Sequence, residues 1–425
     1  MAQHPFLKSI RPVNLLSFGP NTEEIELRPL NILIGPNGCG KSNFIEIIGL
    51  LNKLPDKDPW ADVIASGGAE EWIWKGQADY QPASITVTAE SDDTSYAGIL
   101  GGLDSLYDEK TVKSIYSIEL FDAGGSFGIR DEQFEKISEG EVGLGLNNRA
   151  FVRTAWENEQ ENSNHAIGMV KQLLMAPTPQ KLKSDRSVLS QIGSVSGITS
   201  KWPQMYELAN GLERIACYRD WIFGRESTSR QLQRVGLDSY HLAADSSNVA
   251  QVLKAMRDRG NAETFNQLIE SMKSFYEPVK DVDTELVGTH LRIMIKEEGL
   301  KSRTPAERLS DGTLRWLNLL IVLLDPTPPP VICIEEPELG LHPDMIPTLS
   351  DLLRDASTRT QLILTTHSRT LVECFSDDPE SVCVCEKFQG ATEIKRLEAD
   401  YLKVWLEKYS LGQLWSSGEI GGNRW

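Results

Sequence analysis

The spacing of apolar positions changes period along the chain and marks out its elements. Apolar and polar residues alternate in Ile10 to Phe18 and again in Glu24 to Leu30, predicting a strand pair. Leu30 to Ile34 is a short apolar run, the pattern of a buried strand, and it leads directly into Gly35-Pro36-Asn37-Gly38-Cys39-Gly40-Lys41-Ser42. Within Asn43 to Leu54, Phe44, Ile47, Ile48 and Leu51 fall at helical spacing with no internal proline. The local context is therefore strand, glycine loop, helix. From about Trp60 to Phe134 the pattern becomes short alternating runs, such as Ser84 to Thr88 and Tyr116 to Phe121, separated by Gly, Asp and Ser, which predicts an antiparallel sheet. Pro177 and Pro179 break a helical stretch, and helical spacing then dominates from Lys201 to about Met272, in Met205 to Ile215, Val249 to Met256 and Phe265 to Phe275. No heptad pattern lasts long enough for a coiled coil. Asp281-Val282-Asp283 reads as a turn. Beyond Lys301 the α/β character returns, with Val331 to Ile334 and Gln361 to Thr365 as apolar strands of the buried parallel type.

These elements predict an α/β fold: a mixed sheet flanked by helices and assembled from both ends of the chain. Residues 1–150 would form the first part of the head with an antiparallel subdomain, residues 151–300 a compact helical insertion or lid, and residues 301–425 the second part of the head.

A chain of 425 residues with 40% hydrophobic content can bury at least one full core. Its formal net charge of -18 repels phosphate backbones and acidic membranes, so nucleic-acid binding would need a local basic groove or a basic partner. Leu314 to Leu324, the most apolar stretch, is interrupted by Arg315 and Asn318 and falls well short of the roughly 20 residues a membrane span requires. The expected setting is soluble and cytoplasmic, with no membrane partner. Cys39, Cys217, Cys333, Cys374, Cys383 and Cys385 lack zinc-type spacing and are expected to be reduced.

Gly35 to Ser42 fits G-x-x-x-x-G-K-[ST] at every fixed position. In such a loop, successive backbone N–H groups and the helix N-terminus surround a β-phosphate, Lys41 neutralises the β/γ oxygens, and the Ser42 hydroxyl ligates Mg2+. Val331 to Ile334 ends in Glu335 and Glu336, where a buried strand delivers acids to its C-terminal edge. Glu335 would hold the metal and Glu336 would polarise the attacking water, although strands of this kind more often carry Asp first. Leu309-Ser310-Asp311-Gly312 opens a helical run, and His367 in Thr365-Thr366-His367-Ser368 ends the next apolar strand, beside Glu336, where it could sense a γ-phosphate.

Taken together, GPNGCGKSN (Gly35 to Asn43), LSDGT, Glu335-Glu336-Pro337-Glu338, Leu339-Gly340-Leu341-His342-Pro343 and TTHS resemble the AAA/ABC-type ATPases of the RecF, SMC and OLD group, and in particular a compact bacterial ATPase family. The resemblance implies ATP and Mg2+ as cofactors and a homodimer or higher homo-oligomer. In it, ATP on one subunit's phosphate loop is covered by Ser310, Asp311 and Gly312 of another, with Gly340 to Pro343 linking the two sites. It also implies a role in anti-phage defence with a separately encoded effector of nuclease or TOPRIM type, because too few residues follow His367 to build a TOPRIM domain here. A RecF-like repair ATPase and an ATP-holding scaffold are the alternatives. The glutamine loop of that group has three candidates, Gln77, Gln81 and Gln191. Arg214, Arg219, Arg225, Arg230 and Arg234, interleaved with Tyr218, Trp221 and Phe223, read first as a solvated, salt-bridged segment and second as a nucleic-acid contact. Trp405, Trp415 and Trp425 form an aromatic tail that either docks a partner or packs on the head.

Overall fold

A computed structural model describes residues 5–76, 82–92, 111–137, 149–155, 186–194, 203–219, 221, 224–259 and 262–422. Pro177, Pro179, Gln77, Gln81, Phe223 and Trp425 lie outside these residues.

The central sheet has the spatial order Ala391–Arg396, Val382–Phe388, Leu30–Ile34, Gln361–Thr365, Val331–Glu335, Ala216–Tyr218. All neighbours pair in parallel except the edge hairpin Val382–Phe388 with Ala391–Arg396. Leu30–Ile34, Gln361–Thr365 and residues 331–334 are buried along their length and mostly apolar because both faces of the sheet are covered there. Side chains alternate between the faces with period two. Leu33, Val331, Cys333, Ile363 and Cys383 join one core with Phe44, Ile47 and Ile48 of the helix Lys41–Lys53. Ile32, Ile34, Ile332, Ile334, Leu362 and Leu364 join the other with Trp316 and Leu320 of the helix Asp311–Leu323.

An antiparallel sheet, ordered Ile25–Glu26, Leu7–Val13, Ala83–Asp92, Thr111–Asp122, Phe127–Ile137, Arg149–Ala155, covers the first of these cores. Ile85, Val87, Tyr116 and Ile118 turn inward, and the helix Pro203–Glu213 lies between this sheet and the helix Lys41–Lys53. The alternation read in Ser84 to Thr88 and Tyr116 to Phe121 thus corresponds to real, half-buried strands. One buried carboxylate, Glu132, accepts hydrogen bonds from the Tyr116 and Ser187 hydroxyls and the Val188 N–H, pinning the short helical segment Val188–Ser194 to this sheet.

The helix Asp311–Leu323 is buried on all sides from Thr313 to Leu323, as a helix apolar around its whole circumference must be. Among its buried polar residues, Asn318 donates to the Ser229 and Ser246 hydroxyls, and Arg315 donates to the Glu336 carbonyl. Among the described residues no helix is long and apolar enough to cross a membrane.

The middle of the chain carries more strand than its sequence suggests. Helices Val249–Arg259 and Ala262–Phe275 are present, but Val279–Val287 and His290–Glu297 form an antiparallel hairpin extended by Thr304–Pro305 and Gln233–Arg234. Asp281-Val282-Asp283, read as a turn, lies within the first hairpin strand, and its two carboxylates are ion-paired with Arg257 and Arg303. Ala216–Tyr218, within the same stretch, is an edge strand of the central sheet.

Candidate functional site

The glycine loop sits at the C-terminal edge of Leu30–Ile34, followed at once by the helix Lys41–Lys53. Gly35 has φ +149° and a Cβ there would lie 2.2 Å from the Cys385 carbonyl; at Gly40, φ is +113° and a Cβ would meet the Thr392 hydroxyl at 2.2 Å. Only glycine allows the backbone to take this path. Asn37, Gly38 and Ser42 are exposed at the loop's apex, Pro36 and Asn43 are half-buried, and Cys39, Gly40 and Lys41 are buried. The Lys41 ammonium donates to the carbonyls of Gly35 (2.7 Å) and Pro36 (3.1 Å), so a full positive charge spans the mouth of the loop. Beneath it, the Cys39 carbonyl accepts from the Thr392 hydroxyl at 2.7 Å and the Cys385 thiol at 3.4 Å. Hydrogen bonding with Cys385, with help from the Lys41 charge, outweighs burial and lowers the Cys39 thiol to about 6. All six cysteines are free.

The two adjacent acids stand on the same edge. Register pairs Glu335 with Thr365, so the ends of Val331–Glu335 and Gln361–Thr365 are level. Glu335 Oε2 accepts from the Ser42 hydroxyl at 3.4 Å, and Oε1 accepts from Arg219 Nε at 3.2 Å. The Glu335 carboxylate and Ser42 hydroxyl offer two oxygen ligands side by side. Among the described residues no group of three or more His, Cys, Asp or Glu could enclose a metal. The Ser42–Glu335 oxygen pair suits Mg2+, which is commonly held by one or two protein groups and completes its shell with water and phosphate.

Glu336 takes a left-handed conformation, φ +45°, uncommon for a residue with a side chain. Its N–H donates to the Thr365 carbonyl at 3.0 Å, and its own carbonyl accepts from Arg315 Nη2 at 2.8 Å. These bonds hold the half-exposed Glu336 carboxylate with one oxygen 3.9 Å from His367 Nε2. Glu338 is half-buried, and its carboxylate accepts from the Thr366 hydroxyl (2.5 Å) and the His367 N–H (3.2 Å), fixing the backbone that presents the imidazole. Burial raises the Glu338 pKa.

Burial lowers the His367 pKa below 6.5; the Lys41 ammonium adds to this and the Glu336 carboxylate opposes it. The ring is therefore neutral at pH 7 and can donate one N–H. With the folded-state value depressed, the associated stabilisation is complete above the unfolded value of about 6.5 and is lost as pH falls through the folded value. The thermal midpoint should decline below about pH 6.5, and less steeply in His367→Asn, by a small margin because solvent screens the partly exposed ring. An equally steep decline in the variant would contradict this electrostatic picture.

Ser310 caps the helix Asp311–Leu323, its hydroxyl accepting from the Thr313 N–H at 3.1 Å. Arg230, mostly buried, donates to the Leu309 (2.6 Å) and Ala306 (3.2 Å) carbonyls and pairs with Asp311. Gly312 lies against the Gly340 carbonyl, which a Cβ would approach to 3.2 Å. The structure thus gathers Lys41, Ser42, Glu335, Glu336 and His367 at one sheet edge, and joins Ser310, Asp311 and Gly312 to Arg230 and Gly340.

Of the five arginines read mainly as a solvated segment, Arg219 reaches the Glu335 carboxylate and Arg230 the Leu309–Asp311 turn. Gln191 spends its amide on the Arg186 and Ser187 carbonyls. Trp415 is partly buried and donates to the Gly422 carbonyl at 3.1 Å, packing this part of the tail on the head. Trp405 stays 42% exposed, beside exposed Tyr401, Val404 and Tyr409.

A glycine loop opening a helix beside a mainly parallel sheet, with paired carboxylates and a histidine at that sheet's edge, defines a P-loop ATPase head of the AAA/ABC class. The chain belongs to the family described as "AAA domain, putative AbiEii toxin, Type IV TA system", whose model matches residues 30–167 and 212–373. Among solved structures, an SMC head bound to the C-terminal winged-helix domain of ScpA is similar, with a TM-score of 0.51 and 13% identity over 94% of this chain and 100% of that one. The Pyrococcus furiosus SMC head with an extended coiled coil, bound to the C-terminal domain of ScpA, gives 0.48 at 12% identity over 95% and 99% of the two chains. The Thermotoga maritima SMC head gives 0.40 at 15% over 92% and 99%. At such identities the likeness is one of fold, and it rests on the first of these structures. No curated protein matches the sequence.

Proposed function

We propose that this chain is an Mg2+-dependent ATPase whose heads close on each other around ATP and so act as a conformational switch for a separately encoded effector in bacterial anti-phage defence. The observation that carries the reading is the convergence of the Lys41 ammonium, the Ser42–Glu335 oxygen pair and the Glu336–His367 pair at one sheet edge. In this assignment the backbone of Gly35 to Asn43 cradles the phosphates, Lys41 neutralises the β/γ oxygens, and Ser42 and Glu335 hold Mg2+. Bound there, the ion would offset charge on the phosphates. Glu336 accepts the proton of the attacking water, and neutral His367 donates to the terminal phosphate.

Ser310, Asp311 and Gly312 complete the site from a second copy. Two observations agree with action in trans: the side chains of Ser310 and Asp311 bond only within their own head, to Thr313 and Arg230 among the described residues, and Ser310 stands at a helix N-terminus, where a phosphate is favoured. The defence role draws support from the family's own description, which names a type IV toxin–antitoxin toxin. An effector surface has a candidate in Tyr401, Val404, Trp405 and Tyr409, exposed at helical spacing; the SMC head of similar fold likewise carries another protein's domain.

Native mass measurement tests the dimer. The Glu336→Gln protein should be monomeric without nucleotide and dimeric in ATP and Mg2+, and Ser310→Arg should abolish the ATP-dependent dimer. A mass that does not change with ATP would refute closure of the heads. ATP-dependent dimers whose turnover rises on added DNA would move the biology to repair.

A further inference from the structure

In the sequence Arg219 is one of five arginines read as a solvated segment or a nucleic-acid contact; in the structure it stands at the sheet edge against Glu335. The strand Ala216–Tyr218 pairs in parallel with Val331–Glu335, Tyr218 opposite Ile334, so the next residue on each strand, Arg219 and Glu335, emerges at the same level of the sheet edge. The guanidinium uses that position: Nε donates to Glu335 Oε1 at 3.2 Å, while Nη2 lies 3.7 Å from Glu46 on the helix that follows the glycine loop. The other Glu335 oxygen faces the Ser42 hydroxyl at 3.4 Å. A single carboxylate is therefore shared between a resident cation and the hydroxyl assigned to the metal.

The geometry points to Arg219 as a positioning residue that acts as a resident counter-cation for Glu335, competing with Mg2+ for this carboxylate and setting how strongly nucleotide binding depends on the metal. The inference rests on the Mg2+–ATP reading above. A bare carboxylate at the mouth of a triphosphate site repels the nucleotide. A cation against it removes that repulsion, whether the cation is a divalent ion or a guanidinium. Arginine suits the task because its charge is permanent and its planar fork can engage Glu335 and Glu46 together. Both carboxylates and the guanidinium are partly solvent-exposed, at 19%, 24% and 33%, so the pair is accessible to exchange with an incoming ion and its strength is moderate.

The consequence is thermodynamic and can be read without turnover. Equilibrium binding of a fluorescent ATP analogue is measured in EDTA and in saturating Mg2+, and the ratio of the two dissociation constants gives the dependence on metal. Arg219→Gln should weaken binding in EDTA more than in Mg2+, raising the ratio about fivefold, equivalent to about 1 kcal/mol at 1.4 kcal/mol per decade. Arg219→Lys, which keeps the charge, should stay within about twofold of wild type. In a Glu335→Gln background there is no carboxylate to neutralise, so adding Arg219→Gln should leave the ratio unchanged, a coupling that general attraction between a cation and triphosphate would not produce. An unchanged or lowered ratio in Arg219→Gln, or an equal rise in the Glu335→Gln background, overturns the assignment. Failure of the wild-type protein to bind the analogue at all would instead overturn the nucleotide site itself. Circular dichroism confirms that each variant is folded.

Discussion

Glu336→Gln should bind ATP within about twofold of the wild-type protein while its kcat falls by about 10² to 10⁴, the range general-base catalysis supplies. The two effects separate because of where Glu336 sits. Its backbone, not its carboxylate, carries the local structure: the N–H is bonded to the Thr365 carbonyl and the carbonyl to Arg315. The isosteric amide leaves those bonds and the left-handed turn in place. What changes is the half-exposed carboxylate 3.9 Å from His367, which loses its ability to take a proton from water. Phosphate release under saturating ATP, paired with calorimetric titration of nucleotide, resolves both quantities. Normal phosphate release from the variant would remove Glu336 from the chemistry. A parallel collapse of binding would mean that its charge organises the site before any reaction.

Lys41→Met should weaken nucleotide binding by about one to two orders of magnitude, the cost of losing a charge-assisted hydrogen bond to a group that remains charged. Methionine is chosen over alanine because Lys41 is 6% exposed and its stem fills space beneath the loop, which a shorter side chain would leave empty. The ammonium also donates to the Gly35 and Pro36 carbonyls. The free variant should therefore show faster hydrogen exchange in Gly35 to Gly40 as well as weaker binding. Calorimetry checks the affinity, and an unchanged dissociation constant would sink the phosphate-loop assignment.

Arg315 ties Glu336 to the helix that carries Ser310, Asp311 and Gly312, the residues proposed to act across two heads. It lies in the helix capped by Ser310, is buried against Trp221, and donates to the Glu336 carbonyl. Any movement of that helix on contact with another head would reach the Glu336 backbone through one hydrogen bond. Under the proposed closure of two heads, that helix and its one buried cation would give a physical route from the contact to Glu336.

Sequence by itself determined the parts of this protein whose physics is local. A short, mostly apolar strand, a glycine turn and a helix are consecutive in the chain, so Gly35 to Ser42 could be read directly; Glu335, Glu336 and His367 were legible because each sits at or just past the end of a short apolar strand. Alternation likewise revealed the antiparallel strands with one buried face. Elsewhere the local signal is absent. Ala216–Tyr218 has three residues, too few for any period to show, and becomes a strand only because Val331–Glu335 offers it an edge. Val279–Val287 buries only Val279 and Val282 fully, so its pattern does not alternate and its pairing with His290–Glu297 decides its conformation. Arg219, Arg230, Arg315, Thr392 and Cys385 belong to residue types found anywhere, and their partners lie far away in sequence. Tertiary structure alone decided that Arg219 meets Glu335, that Arg230 braces the Leu309–Asp311 turn, and that Thr392 supports the loop at Cys39. Hydrophobic periodicity specifies which face of an element is buried, but which polar side chains meet across an edge depends on strand order and register, and these are fixed only when the sheets and helices pack.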